Sequence, residues 1–249
     1  MLGGFGSPTH SSPMNLILLF PDDFIDGTSR ARIQGRRLRQ VLDVHHASID
    51  DELCVGLAGG GVGTGRVISL SMGFLEMEVC FTNTPPPALP VTLVLSLPRP
   101  KVLRRALRSV SAMGVKRVIL FNSFRVEKSF WLSPFLDESS LKEELILGLE
   151  QARDTILPEV MLRPLFKPFV EDELPTLIDG TLPLVAHPAA STPCPRDLKR
   201  PVTIAIGPEG GFIPYEIEML VSHGFTPIHL GERILPVETV LPFLLSRLF

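Results

Sequence analysis

From Val91 onward the sequence alternates short apolar runs with amphipathic stretches, and this alternation restricts the fold more than any other feature of the chain. Val91 to Leu97, Arg117 to Phe121, Leu182 to Ala186, Val202 to Ile206 and Thr226 to Leu230 read as strands, short and rich in β-branched residues. Between the first two, Pro100 to Met113 gathers Val102, Leu103, Ala106, Leu107, Val110 and Met113 on one helical face, with Gly114 as a C-terminal stop. A longer helix is expected from about Ser140, where Ser140 and Glu143 form a capping-box pair and Leu145, Leu149, Ala152 and Ile156 share one stripe. Further helices are expected at about Pro214 to His223 and Val237 to Phe249. Strands alternating with helices imply an α/β fold, a mainly parallel sheet with helices on both faces.

The amino-terminal third follows another pattern. Strand-like runs occur at Asn15 to Phe20, Leu53 to Leu57, Arg66 to Leu70 and Leu75 to Phe81, the last alternating apolar and acidic residues as a half-buried strand should. The segment AGGGVGTGR, Ala58 to Arg66, suits a hairpin turn; a phosphate-binding loop is disfavoured because no helix pattern follows and no GK[ST] ending is present. The chain is therefore expected to comprise a disordered leader at 1–13, a small β-rich domain at 14–82, a proline-rich linker at 83–90 and the α/β domain at 91–249. A content of 45% hydrophobic and 20% charged residues fits globular domains with real cores. The leader lacks the regions of a signal peptide, and no apolar run approaches the roughly 18 residues of a membrane span, so no membrane association is expected. Cys54, Cys80 and Cys194 form no CxxC pair and have no nearby histidine partners, which disfavours zinc, or any metal, and a disulfide framework, and points to the reducing cytoplasm.

In an open α/β sheet, ligands bind beyond the carboxyl ends of the strands. The segments there are Ala186-His187-Pro188, Gly207-Pro208-Glu209-Gly210-Gly211-Phe212, and Gly231 to Thr239. The middle one stands out, because its glycines free the backbone to approach a ligand while Pro208 stiffens the turn. By itself this turn is equally compatible with an ordinary strand-to-helix connection, Pro214 opening the helix and Gly224 ending it.

IGPEGGFIPYEIE, Ile206 to Glu218, and LGERILPVET, Leu230 to Thr239, resemble the carboxyl-terminal signature of the RsmE family, 16S ribosomal RNA uridine-N3 methyltransferases of the SPOUT superfamily. VTLVLSLPRPK, Val91 to Lys101, MGVKRVILFNS, Met113 to Ser123, and Glu150-Gln151 with Pro158 extend the resemblance. The amino-terminal domain is similar to the family's PUA-like RNA-binding β-barrel, so the likeness runs from Met14 to the end of the chain. The resemblance implies a SPOUT-type trefoil-knotted domain, S-adenosyl-L-methionine as methyl donor, a homodimer, and 16S ribosomal RNA or the small ribosomal subunit as partner. It also implies that the donor is wrapped by Ala186, His187 and Pro188, by Ile206, Gly207, Pro208, Glu209, Gly210 and Gly211, and by Leu230, Gly231, Ile234, Leu235, Pro236, Glu238 and Thr239. Related sequences often carry Arg where this chain has Pro236 and Thr where it has Val237, and a basic residue where Asp154 follows Arg153. Schemes that depend on those side chains do not transfer to this chain.

A uridine N3 carries a weakly acidic proton, so the site must remove it or stabilise the resulting anion. Arg233 is the candidate for that task; its other reading is an exposed or helix-capping arginine. Glu209 either accepts the proton or pins its turn through backbone hydrogen bonds, and His187, before Pro188, suits a backbone contact better than proton transfer. Arg30, Arg32, Arg36, Arg37 and Arg39 crowd one stretch, and Arg99, Lys101, Arg104, Arg105 and Arg108 another. In a chain of net charge −3 these read as a localised track for RNA phosphates, against the plainer reading of solvated faces. N3 lies on the pairing edge, so the target base must be unpaired or flipped. Methylation of another RNA, or RNA binding without catalysis, are the competing readings.

Overall fold

The computed structural model describes residues 15–25 and 27–249, and the leader expected at 1–13 lies outside them. The chain divides into two compact units, one reaching to Pro85 and including Glu150–Thr155, the other formed by Pro86–Leu149 and Ile156–Phe249. The division falls within the proline-rich segment. The return of 150–155 to the first unit departs from the expected unbroken domain at 91–249.

In the first unit, strands β1 (Ile17–Leu19), β2 (Arg30–Ile33), β3 (Glu52–Leu57), β4 (Val62–Leu70) and β5 (Leu75–Asn83) form one sheet in the order β1-β3-β4-β5-β2. β1 runs parallel to β3, and the other pairs are antiparallel. The first arginine-rich stretch, expected only as a charged track, is β2 followed by helix α1 (Gly35–Gln40). β2 alternates, exposing Arg30 and Arg32 and burying Ala31 and Ile33 with Leu19, Val55, Leu75 and Met77. β4 begins at Val62 rather than Arg66, and its glycines serve packing as well as the turn. A Cβ at Gly63 would collide with the Cys80 carbonyl, and one at Gly65 with the Met77 sulfur.

Glu150 explains why its segment belongs here. Its buried carboxylate receives both ends of the Arg36 guanidinium, Nη1 at 2.9 Å and Nη2 at 3.2 Å, and its backbone carbonyl accepts the Leu16 N–H at 2.8 Å. Thr155 Oγ1 donates to the Gly60 carbonyl at 2.6 Å, and Gly59 N–H donates to the Thr155 carbonyl at 2.8 Å. Asp154 is buried in the same stretch.

In the second unit, β6 (Val91–Ser96), α2 (Pro100–Ala112), β7 (Arg117–Phe121), α3 (Lys128–Trp131) and α4 (Glu138–Ala152) lead to β8 (Glu159–Arg163). Short helices α5 (Phe166–Pro168) and α6 (Leu174–Ile178) precede β9 (Leu182–Ala186), β10 (Val202–Ile206), α7 (Pro214–Ser222), β11 (Thr226–Ile228) and α8 (Val237–Leu248). The six strands are all parallel, in the order β11-β9-β10-β6-β7-β8. Helix α4 begins at Glu138, just before the expected Ser140.

Strand periodicity separates two cores. Leu93 and Leu95 of β6, Val118 and Leu120 of β7, and Ile204 of β10 face a cluster with Leu103 and Leu107 of α2 and Leu241 and Leu244 of α8. Val94, Ile119, Phe121 and Ala205 face the other side, with Phe169, Leu174, Phe212 and Leu220. Both faces are thus covered, as the continuous apolar runs require. No helix of the described residues is long and apolar enough to cross a membrane.

Replacing Arg36 by Ala strands Glu150 as a buried carboxylate without its counter-ion. Because Arg36 itself is partly exposed, the expected loss of unfolding free energy is on the order of 2 kcal/mol, below the range for fully buried pairs. Arg32→Ala, which removes a more exposed pair with Glu76, is expected to cost under about 1 kcal/mol. Urea titration of the two variants checks the difference.

Candidate functional site

Register sets the site. Ile206 at the end of β10 pairs with Ala186 at the end of β9, and Ala186 pairs with Ile228 at the end of β11. The three following segments therefore leave the sheet at one level and enclose a cleft of about 530 Å³. Its walls are Ala186, His187 and Pro188, then Ile206 to Phe212, then Leu230, Gly231 and Arg233 to Val237, with Ile228 and Val240 behind. The volume lies within the usual range for small-ligand pockets, roughly 300–1,000 Å³. The lining has the composition such pockets need: apolar side chains, close backbone, and a few polar groups.

Each wall is fixed by identifiable bonds. His187 N–H donates to the Ile228 carbonyl at 2.9 Å, tying the first loop to β11. In the second, Gly211 N–H donates to the Pro208 carbonyl at 2.8 Å, closing a tight turn in which Gly211 has φ +71°. Gly207 is approached so closely by Phe212 that an added Cβ would lie 3.2 Å from the Phe212 backbone nitrogen. Phe212 anchors the turn from below, its ring 6.1 Å from that of Phe121. In the third loop Gly231, at φ +122°, donates to His229 Nδ1 at 3.2 Å. Pro236 is the N-cap residue of α8, and its carbonyl accepts the Thr239 and Val240 N–H groups at 2.9 Å.

Of the residues expected around the ligand, Glu238 and Thr239 lie outside the cleft lining. Both belong to the first turn of α8, and Glu238 is turned to Arg105 of α2 at 2.8 Å. Arg233 lines the cleft, is exposed, and forms no ion pair with a described residue. Glu209 also lines it, but its Oε1 accepts the N–H of Arg99, the N-cap residue of α2, at 3.0 Å. That bond is the pinning role considered for it, and it fastens the turn to the loop after β6.

Two supports escaped the sequence reading. Glu216 is only 2% exposed, and its carboxylate accepts the Ile213 N–H at 3.0 Å and the Phe124 N–H at 2.7 Å. Its position two residues after Pro214 carries a capping signal; the bond to Phe124 carries none, because it joins segments brought together only by the sheet. Arg125, from the same loop after β7, donates through Nη1 to the Gly210 carbonyl and lays its aliphatic stem against Gly210. Cys194, on the β9–β10 connection, is buried, and burial holds its thiol above the ordinary value, opposed by Arg247 and Arg196. It is accordingly a packed thiol rather than a nucleophile.

The expected phosphate track is thinner than its arginine density implies. Arg32 pairs with Glu76 at 2.5 Å, Arg36 with Glu150, Arg37 with Asp23 at 2.5 Å, Arg105 with Glu238, and Arg108 with Glu144. Arg104 lies over the Phe135 ring at 4.7 Å. Arg30, Arg39, Arg99 and Lys101 are exposed and form no ion pair with a described residue. The first unit has its own hollow of about 380 Å³ beside Asp22, Asp23, Arg32 and Arg37, but its two arginines are engaged by acids already.

The chain is similar over most of its length to known methyltransferases. Ribosomal RNA small subunit methyltransferase E of Treponema pallidum is 27% identical over 91% of this chain and 87% of its own length. The protein of that name from Synechocystis is 26% identical over 90% of this chain and 73% of its own. Two crystal structures share the fold at 19% identity. A putative methyltransferase from Legionella pneumophila in complex with the bound cofactor SAM has a TM-score of 0.72, covering 93% of this chain and 96% of that one. A ribosomal RNA small subunit methyltransferase E from Neisseria gonorrhoeae bound to S-adenosyl methionine has a TM-score of 0.70, covering 93% and 95%. The segment that builds the six-stranded sheet and its cleft, residues 85–249, matches the family model for the RNA methyltransferase domain, and the chain belongs to that family.

Proposed function

We propose that this protein transfers a methyl group from S-adenosyl-L-methionine to N3 of a uridine in 16S ribosomal RNA, acting in the cytoplasm as a homodimer. One observation carries the reading: three strand-end loops, all within the segment matched by the RNA methyltransferase family, enclose a cleft of ligand size. The relatives' names support the small-subunit RNA, and the two SAM-bound structures of the same fold support the donor. The choice of uridine N3 rests on the sequence resemblance.

The residues present fit the donor. Gly207 and Gly211 line the cavity with backbone, and Ile206, Leu230, Leu235 and Val240 give an apolar bed for an adenine ring. Bound there, S-adenosyl-L-methionine supplies a methyl group on a positively charged sulfur. The protein's own part is chiefly positional, holding nucleophile and methyl carbon about 3–3.5 Å apart in line. Glu209 keeps the second wall fixed through Arg99 N–H. Arg233 stands at the rim with a guanidinium not engaged by any described acid, suited to the uracil carbonyl on which charge builds as N3 loses its proton. The proton itself passes to solvent at the exposed rim.

Incubating the protein with the donor and unmodified small-subunit RNA, then digesting to nucleosides, is expected to yield N3-methyluridine. Donor binding without transfer would instead favour a non-catalytic RNA-binding role. Arg233→Ala is expected to lower kcat by roughly 10²-fold while donor affinity, measured by calorimetry, stays near that of the parent. Glu209→Gln keeps an oxygen acceptor for Arg99 N–H and should keep most of the rate; loss of a general base would cost roughly 10²–10⁴-fold. Gly211→Ala forces a side chain into the left-handed region, and is expected to destabilise the fold by about 1 kcal/mol and to weaken donor binding.

A further inference from the structure

The loop after β7 presents an exposed aromatic ring that neither core uses. Phe124 is 78% exposed, although its backbone N–H is held at 2.7 Å by the buried carboxylate of Glu216. The rest of the loop is equally fixed. Ser123 Oγ meets Ser96 Oγ at 2.6 Å in the interior, and the Asn122 side-chain oxygen accepts Trp131 Nε1 at 2.9 Å. Fraying therefore does not account for the exposure of Phe124. The chain's single tyrosine, Tyr215, is 51% exposed and directly precedes Glu216 in the first turn of α7. Arg125, next to Phe124, reaches the Gly210 carbonyl in the wall of the cleft. Two exposed aromatic residues are thus tied to the same buried carboxylate segment, and Arg125, the neighbour of one of them, is bonded to the wall of the cleft.

We infer that Phe124 and Tyr215 form a stacking platform for unpaired RNA bases beside the target nucleotide, and that Arg125 bounds it on the cleft side. The inference rests on the proposed function, since it takes RNA as the molecule that enters the cleft. The chemistry favours this occupant. A base whose pairing edge is to be methylated must leave its helix, and its unstacked neighbours need a flat apolar surface with cationic character, which aromatic rings and guanidinium planes supply. Here the exposed rings stand beside a polar, glycine-rich turn.

The test compares Phe124→Ala, Phe124→Leu, Phe124→Trp and Tyr215→Ala with the parent chain. Three quantities are read: affinity for an unmodified small-subunit RNA transcript and for labelled oligouridine, affinity for S-adenosyl-L-methionine by calorimetry, and sedimentation. Truncating a stacked aromatic is expected to weaken RNA binding about tenfold for Ala, with Leu little better although it keeps apolar bulk, and Trp restoring it. Donor affinity and sedimentation should not change, which separates loss of a platform from loss of fold. If RNA affinity is unchanged in Phe124→Leu and Tyr215→Ala, or if the parent binds neither RNA, the inference is overturned. It is also overturned if Phe124→Ala alters sedimentation while RNA affinity is kept, because the ring then serves a second copy of the chain. If the parent binds RNA in a Phe124-dependent way yet transfers no methyl group, the platform stands and the assigned reaction fails.

Discussion

The in-register ladder that joins Leu95, Ile206, Ala186 and Ile228 across four parallel strands decides where every functional loop begins. In a parallel sheet each connection must return along a face, so all strand ends of one polarity, and all loops that follow them, fall along one edge. A one-residue slip of β10 against β9 would also exchange its two faces, sending Ile204 toward the core that Ala205 now faces. Core packing therefore fixes register, and register brings three loops of unrelated sequence to a common cleft. The cleft's position thus follows in part from the burial of residues such as Ile204 and Ala205, which are outside its lining.

Loops that leave a sheet together still need fastening, and two carboxylates, one buried and one exposed, do it here. Glu216 satisfies the N–H of Ile213 and that of Phe124 at once, so the start of α7 and the loop after β7 cannot move independently. Hydrogen bonds to a charged acceptor are worth about 1.5–3 kcal/mol each, and a buried carboxylate deprived of them is penalised further. Glu209 is the more exposed counterpart, joining the glycine turn to the N-cap residue of α2. Carboxylates that look like candidate proton acceptors in a sequence are, in this edge of the sheet, engaged with backbone donors.

The α/β domain was legible because its signals are local. Apolar runs gave strands β6, β7, β9 and β10 almost to the residue, and the rule that ligands gather at strand ends pointed to Ala186, Gly207 and Gly231, which line the cleft. What escaped detection was non-local. Nothing in the neighbourhood of Glu150 says that it answers Arg36, and nothing near Arg125 says that it crosses to Gly210. Strand β8 and the short helices before β9 lack a clean period, and β4 was clipped because glycines read as a turn when close packing against Cys80 and Met77 required them. Glu238 and Thr239 were expected around the donor from the resemblance; they lie outside the cleft lining, and Glu238 is turned to Arg105.

Charge shows the same distinction between composition and structure. Arginine density identifies where cations are made, but most of those in the first stretch and on α2 are matched by acids, so the surface available to a polyanion is set by the residues left over, among them Arg30, Arg39 and Lys101. Within the cleft the sum is smaller still. Pro236 is the N-cap residue of α8 and Val237 is buried, so the third loop contributes one guanidinium to the cleft, that of Arg233. Arg233 is exposed, so the cleft carries its guanidinium without burying an unpaired positive charge, which would need several kcal/mol of compensation. The rest of the lining is apolar side chains and backbone, with His187 and Glu209 as its other ionisable groups among the described residues.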